Sequence, residues 1–275
     1  MTRPSDEPII SLENPQVRLA RSLLEPAGRR RHGLFLVEGL RLVREAAEAA
    51  VPRLVLHTPQ FGRADAEERR LLLALRRSGA AVRQVSERVL AHVTDTVTPQ
   101  GIVAVMPLPG EAEGTLPPPP EGEPDLVLIM DGIGDPGNAG TLLRSATGAA
   151  ATAVIATRGT VDLYAPKVVR AGAGAHFQLA VYTEQTWGDL PQRLQPDCQV
   201  LLADARASTR YWELDWTRPS AIVVSHEAHG ASEGARAMAG GAVCVPTRGI
   251  ESLNVAVAGS ILLFEALRQR QTRGH

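Results

Sequence analysis

The chain has 275 residues, 44% of them hydrophobic and 21% charged, with a formal net charge of −1, enough apolar material for two modest domains with cores of their own. No run approaches the roughly 18 consecutive apolar residues of a membrane span, and the polar, acid-containing residues 1–13 do not read as a secretory signal. Cys198 and Cys244 stand far apart, without the paired spacing of a zinc site or a redox couple, which fits isolated buried thiols in a reducing cytoplasm.

In chain order, helical periodicity covers 15–24, and Arg29-Arg30-Arg31-His32 then leads into a strand at 33–37. Helices at 40–50, 66–76 and 87–93 alternate with strands at 53–57, 81–85 and 101–106, so residues 1–106 read as a small α/β domain. Residues 1–107 hold 16 basic against 12 acidic side chains, so the positive charge is concentrated there. Lys167 is the only lysine of the chain. Arginine suits bidentate contacts to phosphate, but heavy use of Arg for Lys is also a common compositional bias. Residues 107–124 contain seven of the 20 prolines and read as an extended, semi-rigid linker.

Beyond it, strands are expected at 125–130, 152–156, 176–181, 199–203, 221–224 and 242–245, with helices between and after them. The near-continuous apolar runs 126–130 and 221–224 fit buried parallel strands. The last helix, 254–270, carries Val255, Ala258, Leu262 and Phe264 in a stripe that core packing and dimerisation explain equally well.

Three strand-to-loop transitions in 125–275 suggest loops that converge on one site. They are Asp131-Gly132-Ile133-Gly134-Asp135-Pro136-Gly137-Asn138, Ser225-His226-Glu227-Ala228-His229-Gly230, and the loop from Val245 into Glu251-Ser252-Leu253-Asn254. Either Ser252 or Asn254 is placed to cap the last helix. The first loop satisfies G-x-G-x-x-G, but Asp131 and Asp135 would repel a pyrophosphate and Pro136 removes a backbone donor, which argues against NAD. Gly230-Ala231-Ser232-Glu233-Gly234 satisfies G-x-S-x-G, yet five residues separate it from its strand, where a nucleophile elbow needs none. His226 and His229 lack the spacing of a zinc helix, so no metal is expected.

Taken together the loops resemble the SpoU/TrmH family of S-adenosylmethionine-dependent RNA ribose 2′-O-methyltransferases, within the knotted SPOUT superfamily. Asn138, Gly140, Arg144 and Ala146 meet the first family motif, and Glu251-Ser252-Leu253-Asn254-Val255 meets the third residue for residue. Val168–Ala175 looks like a family segment between the first two motifs. The second motif departs from the pattern: Ser225 and His226 stand where Gly and Asn or Ser are usual, and Ala228 replaces a Gly, which the backbone tolerates only at negative φ. Residues 1–106 resemble the small substrate-binding domain that many of these enzymes carry in front, with Arg29-Arg30-Arg31-His32-Gly33-Leu34-Phe35-Leu36-Val37-Glu38-Gly39 as its most recognisable part.

The resemblance implies a trefoil-knotted parallel sheet with flanking helices over 125–275, a homodimer, and methyl transfer from S-adenosyl-L-methionine to a ribose of RNA, ribosomal RNA before tRNA. It implies Asn138 and Arg144 as catalytic residues; Glu227 is a secondary candidate for taking the proton, with bracing of its own loop as the favoured role. The expected cofactor pocket is formed by Leu202, Ala203, Ser225, Glu227, Gly230, Val245, Ser252, Leu253 and Asn254. Arg144 lies six residues after Asn138 on one helix, which is read here as bringing both toward one face. Arg29, Arg30 and Arg31 are the candidate RNA contacts, weighed evenly against a solvated loop of charges. With 4% aromatics, RNA is expected to be held through shape and backbone rather than by base stacking. The competing reading is a non-catalytic RNA-binding protein that keeps the fold.

Overall fold

The computed structural model describes residues 7–109, 116–119 and 123–272. The chain forms two compact units, one of Met1–Pro109 with Tyr164–Phe177, the other of Gly110–Leu163 with Gln178–His275. In chain order the elements are α1 (Pro15–Ser22), α2 (Pro26–His32), β1 (Leu34–Glu38), α3 (Leu40–Ala49), β2 (Leu54–His57), α4 (Ala66–Arg77), β3 (Ala81–Gln84), α5 (Glu87–Val93), β4 (Ile102–Pro107), β5 (Leu126–Asp131), α6 (Pro136–Gly148) and β6 (Ala153–Thr157). Then follow α7 (Pro166–Gly172), β7 (Ala180–Gln185), β8 (Gln199–Ala203), β9 (Ser220–Ser225), α8 (Glu233–Met238), β10 (Gly241–Val243) and α9 (Val255–Thr272). Of the proline-rich stretch 107–124, residues 110–115 and 120–122 lie outside the described residues. No helix among the described residues is long and apolar enough to cross a membrane.

The first unit has a four-stranded sheet in the order β1-β4-β2-β3, with β4 antiparallel to both neighbours and β3 parallel to β2. Its helices begin at side-chain caps: Asn14 accepts the N–H of Gln16, Asp65 those of Glu67 and Glu68, and Ser86 that of Val89. Val17, Ala20 and Leu23 pack with Val89, Leu90 and Val93 over Leu34, Leu36, Leu54, Leu56, Val103 and Val105 in one buried cluster.

Arg29–His32, weighed evenly as a phosphate clamp or a solvated loop of charges, fall within α2. Pro26 pre-sets its first turn and Gly33, at φ 61°, ends it in the left-handed region. Within it Arg29 is buried, 2% exposed, and its Nη1 donates to the carbonyls of Leu23 at 2.7 Å and Leu24 at 2.9 Å. Those carbonyls belong to the turn that leaves α1, so Arg29 is a structural cap and not part of a phosphate clamp. Arg30 and Arg31 remain exposed.

The segment Tyr164–Phe177 packs with this first unit although it lies inside 125–275. Phe35 on β1 meets Tyr164 edge-on at 5.0 Å and stacks with Phe177 at 6.3 Å. Arg170 on α7 pairs with Asp95, through Nη2–Oδ2 at 3.2 Å, and lies 3.9 Å from Glu38.

The second unit is built on six parallel strands in the order β10-β8-β9-β5-β6-β7. The central pair, β5 and β9, is buried along almost its whole length, which is why both read as unbroken apolar runs. The strand expected at 176–181 forms instead at Ala180–Gln185. His176 sits in a short 3-10 turn, buried with its ring 5.4 Å from that of Tyr164, so tertiary contact overrides the local pattern.

Helix α9 covers the sheet with Val255, Ala256, Gly259, Leu262, Leu263 and Ala266. Gly259 is where it closes on α6 and β9: a Cβ there would meet Leu142 Cδ2 at 2.7 Å and Val224 Cγ1 at 3.1 Å. Of the expected stripe, Leu262 is buried in the core, whereas Phe264 is 47% exposed with Val257 beside it on the opposite face.

The C-terminal end of α9 is fastened by Arg270, which donates to the carbonyls of Trp216, Pro124, Asp125 and Arg218. A single guanidinium thus satisfies four acceptors from two other segments. Arg270→Ala is expected to lower the unfolding free energy by about 3 kcal/mol, and Arg270→Lys by less, read from urea denaturation. An unchanged midpoint for Arg270→Ala would dismiss the clamp. Nearby, burial and the carboxylates of Asp125 and Asp197 push the Cys198 thiol up to about 12, so it stays protonated and unreactive.

Candidate active site

Because all six strands of the second unit run parallel, the loops leaving β8, β9 and β10 emerge on one edge of the sheet. Between them lies a cavity of about 420 Å³, within the usual range for a small-molecule site. Leu202, Ala203, Ser225, Glu227, Gly230, Val245, Ser252 and Leu253, eight of the nine residues assigned to a cofactor from the sequence, line it. The ninth, Asn254, does not line the cavity but fastens its wall. Its Oδ1 accepts the N–H groups of Ala256 at 2.9 Å and Val257 at 3.3 Å, so Asn254 rather than Ser252 caps α9.

The same side chain ties the third loop to the first. Asn254 Nδ2 donates to Asn138 Oδ1 at 3.0 Å, and Asn138 Nδ2 donates to Glu227 Oε1 on the second loop. Asn138 is itself held by its backbone N–H, which donates to Asp135 Oδ1 at 2.7 Å at the start of α6. One amide therefore locks the three loops together. Asp135 also occupies the helix N-terminus that a dinucleotide phosphate would need, which disfavours a phosphate at the G-x-G-x-x-G match.

The altered second loop keeps the cavity open. Ala228 is not among the residues with positive φ, so alanine meets no backbone penalty there. The left-handed position falls at Gly230, φ 65°, whose N–H donates to the carbonyl of His226 at 2.8 Å. The loop is anchored underneath by Asp131, buried at the end of β5. Its Oδ2 accepts the N–H of Ser232 at 2.7 Å and its carbonyl accepts that of His226 at 3.1 Å. Sequence reasoning noticed Asp131 only as a charge that repels phosphate and missed this anchoring role.

Arg144 is placed differently from the expectation. At 100° per residue, six residues leave it about 120° around α6 from Asn138 and about 9 Å further along. It is exposed, does not line the cavity, and has no recorded hydrogen bond or ion pair among the described residues. Charged residues that do line the cavity, and that sequence reasoning missed, are Asp204 and Arg206 after β8 and Arg236 on α8. Their position just beyond strand ends already assigned to the site was the available signal. Arg206 lies 3.5 Å from Glu251, also on the lining, and both side chains are largely exposed. Among the described residues no group of three or more His, Cys, Asp or Glu side chains is placed to hold a metal ion.

The profile of the SpoU rRNA Methylase family matches residues 125–264. The chain belongs to the SpoU rRNA methylase family. Residues 14–104 match an MRM3-like substrate binding domain, so a substrate-binding module stands in front of the SpoU domain. Mitochondrial rRNA methyltransferase 3 of Mus musculus is 33% identical over 88% of this chain and 69% of its own length. The 23S rRNA (guanosine(2553)-2′-O)-methyltransferase RlmP of Bacillus subtilis is 30% identical over 93% of this chain and 97% of its own. Among solved structures, the SpoU methyltransferase AviRb of Streptomyces viridochromogenes, in complex with AdoMet, superposes with a TM-score of 0.83 at 27% identity, covering 94% of this chain and 99% of that one.

Proposed function

We propose that this SpoU methylase transfers the methyl group of S-adenosylmethionine to a ribose 2′-hydroxyl of ribosomal RNA. The observation that carries the reading is the 420 Å³ cavity at the strand ends, walled by the motif loops of the family. Its chemistry fits the cofactor. Leu202, Val243, Val245, Leu253 and Leu262 offer apolar walls to a nucleoside, while Asp204, Glu227 and Glu251 together with Arg206 and Arg236 offer charges of both signs to the amino-acid end of the cofactor. When bound, S-adenosylmethionine supplies a methyl group on a sulfonium that departs as a neutral thioether, so the site needs no strong acid for the leaving group.

The protein's own tasks are then to align the hydroxyl and to manage its proton. The backbone of the β8, β9 and β10 loops holds the nucleoside, and Asn138, Glu227 and Asn254 fix those loops relative to one another. A guanidinium offers hydrogen-bond donors and no acceptor, so Arg144 is not assigned the part of base. Its role is to grip the RNA phosphate or the developing alkoxide and so lower the hydroxyl pKa. Exposed Arg30 and Arg31 contact the RNA backbone.

We further infer a homodimer in which exposed Val257 and Phe264 of α9 are covered, a trefoil knot in the SpoU domain, and action in a reducing compartment such as the cytoplasm. The non-catalytic alternative keeps the fold but loses catalysis through the altered second motif; the open cavity favours the enzyme, and affinity for S-adenosylmethionine separates the two. Calorimetry of the purified chain should give micromolar affinity for S-adenosylmethionine and none for NAD. Failure to bind S-adenosylmethionine, alone or with rRNA present, would overturn the reading.

A further inference from the structure

His226 occupies the loop position at which the SpoU/TrmH pattern carries Asn or Ser, and its ring is built into the loop. Nδ1 accepts the N–H of Ala228 at 3.1 Å. The ring lies over the two glycines of the β5–α6 connection: a Cβ on Gly134 would stand 3.8 Å from Nε2, and one on Gly132 4.0 Å from His226 Cβ. A backbone N–H only donates, so Nδ1 must offer a lone pair. The ring is therefore neutral, with its proton on Nε2. An Asn side chain in this place would accept the same N–H through its amide oxygen, forming the same local turn. An amide oxygen takes up no proton in mild acid, whereas a free imidazole nitrogen can.

We infer that neutral His226 shapes the cofactor-binding loop, and that protonation of its Nδ1 releases the Ala228 N–H, so that affinity for S-adenosylmethionine falls in mild acid. This rests on reading the cavity as the S-adenosylmethionine site. His226 is here a positioning residue, acting through the loop that lines the cavity. A protonated ring also adds positive charge beside a site for a sulfonium.

Charged and titratable groups face the ring from the β5–α6 connection, its own loop and α8. Asp131 and Asp135 of the β5–α6 connection already accept the N–H groups of Ser232 and Asn138, and Glu227 on the same loop accepts from the Asn138 amide. His229, its ring 4.6 Å away, and Arg236 of α8, beside Gly230, disfavour further positive charge.

Two measurements test this. In long-range 1H–15N spectra of the unliganded protein at about pH 8, the His226 signals, identified by their loss in His226→Asn, should show the Nε2–H tautomer. Calorimetry with S-adenosylmethionine at about pH 8 and about pH 5.5 should show wild-type affinity falling about fivefold to tenfold more than that of His226→Asn. His226→Ala should bind weakly at both values. The comparison between variants removes titration of the ligand itself. An Nδ1–H tautomer, or equal pH dependence in wild type and His226→Asn, would overturn the proposal. Absence of binding by the wild type at both pH values would instead sink the cavity reading, and the ring spectra would still decide the tautomer.

Discussion

Arg144→Ala is expected to slow single-turnover methyl transfer by about 100- to 1,000-fold, the usual result of removing one donor to developing negative charge. The Kd for S-adenosylmethionine should change by less than about twofold, because Arg144 is exposed on α6 and does not line the cavity. A side chain that makes no hydrogen bond among the described residues is available to a substrate, and its removal leaves no acceptor among them unsatisfied. Arg144→Lys keeps the charge but loses the planar fork that grips phosphate at two points, so it should recover only part of the rate. Tritiated methyl transfer to rRNA with enzyme in excess reads the first quantity, and calorimetry of the same preparations reads the second. A loss of cofactor affinity matching the loss of rate would move Arg144 into the cofactor site and remove it from the chemistry.

What the sequence carried, and what it did not, follows from the range of the forces involved. The parallel strands β5 and β9 are recognisable because both of their faces are buried, which leaves an unbroken apolar run. Pocket residues such as Leu202 and Val245 could be placed by combining the family resemblance with strand ends, since parallel strands deliver their loops to one edge. Helix α2 was hidden because four consecutive basic residues carry no apolar period. What stabilises it is Arg29 reaching back to the turn after α1, a contact that no local pattern encodes. The shift of β7 has the same origin in the burial of His176 beside Tyr164. The amide network joins Asn138 to Asn254 and Glu227 across 116 and 89 residues, separations over which spacing carries no information. The sequence motif named these residues without indicating that they touch. The supposed common face of Asn138 and Arg144 failed for a simpler reason: six residues make about 1.7 turns, a third of a turn short of two.

The network makes the second large effect a matter of donor direction rather than of side-chain size. In Asn138→Asp the acceptor for Asn254 survives, but the donor to Glu227 is lost and two carboxylates are brought within hydrogen-bond distance, where both cannot stay ionised without cost. Affinity for S-adenosylmethionine should fall by about 10- to 100-fold at pH 7.5, at least as far as in Asn138→Ala, which merely deletes the amide. Glu227→Gln alone should cost little affinity, since its amide oxygen still accepts from Asn138. Combined with Asn138→Asp it should restore about tenfold or more, because the Gln amide then donates to the new carboxylate and the bond re-forms in the opposite sense. Calorimetry on the four proteins closes the double-mutant cycle. Strict additivity would mean that Asn138 and Glu227 act independently and that the three loops are held together by something else. The same set of proteins separates the two roles open to Glu227. If Glu227→Gln keeps cofactor affinity but loses methyl transfer, Glu227 takes the ribose proton; if it keeps both, its carboxylate serves only to hold Asn138, and through Asn138 and Asn254 the start of α9.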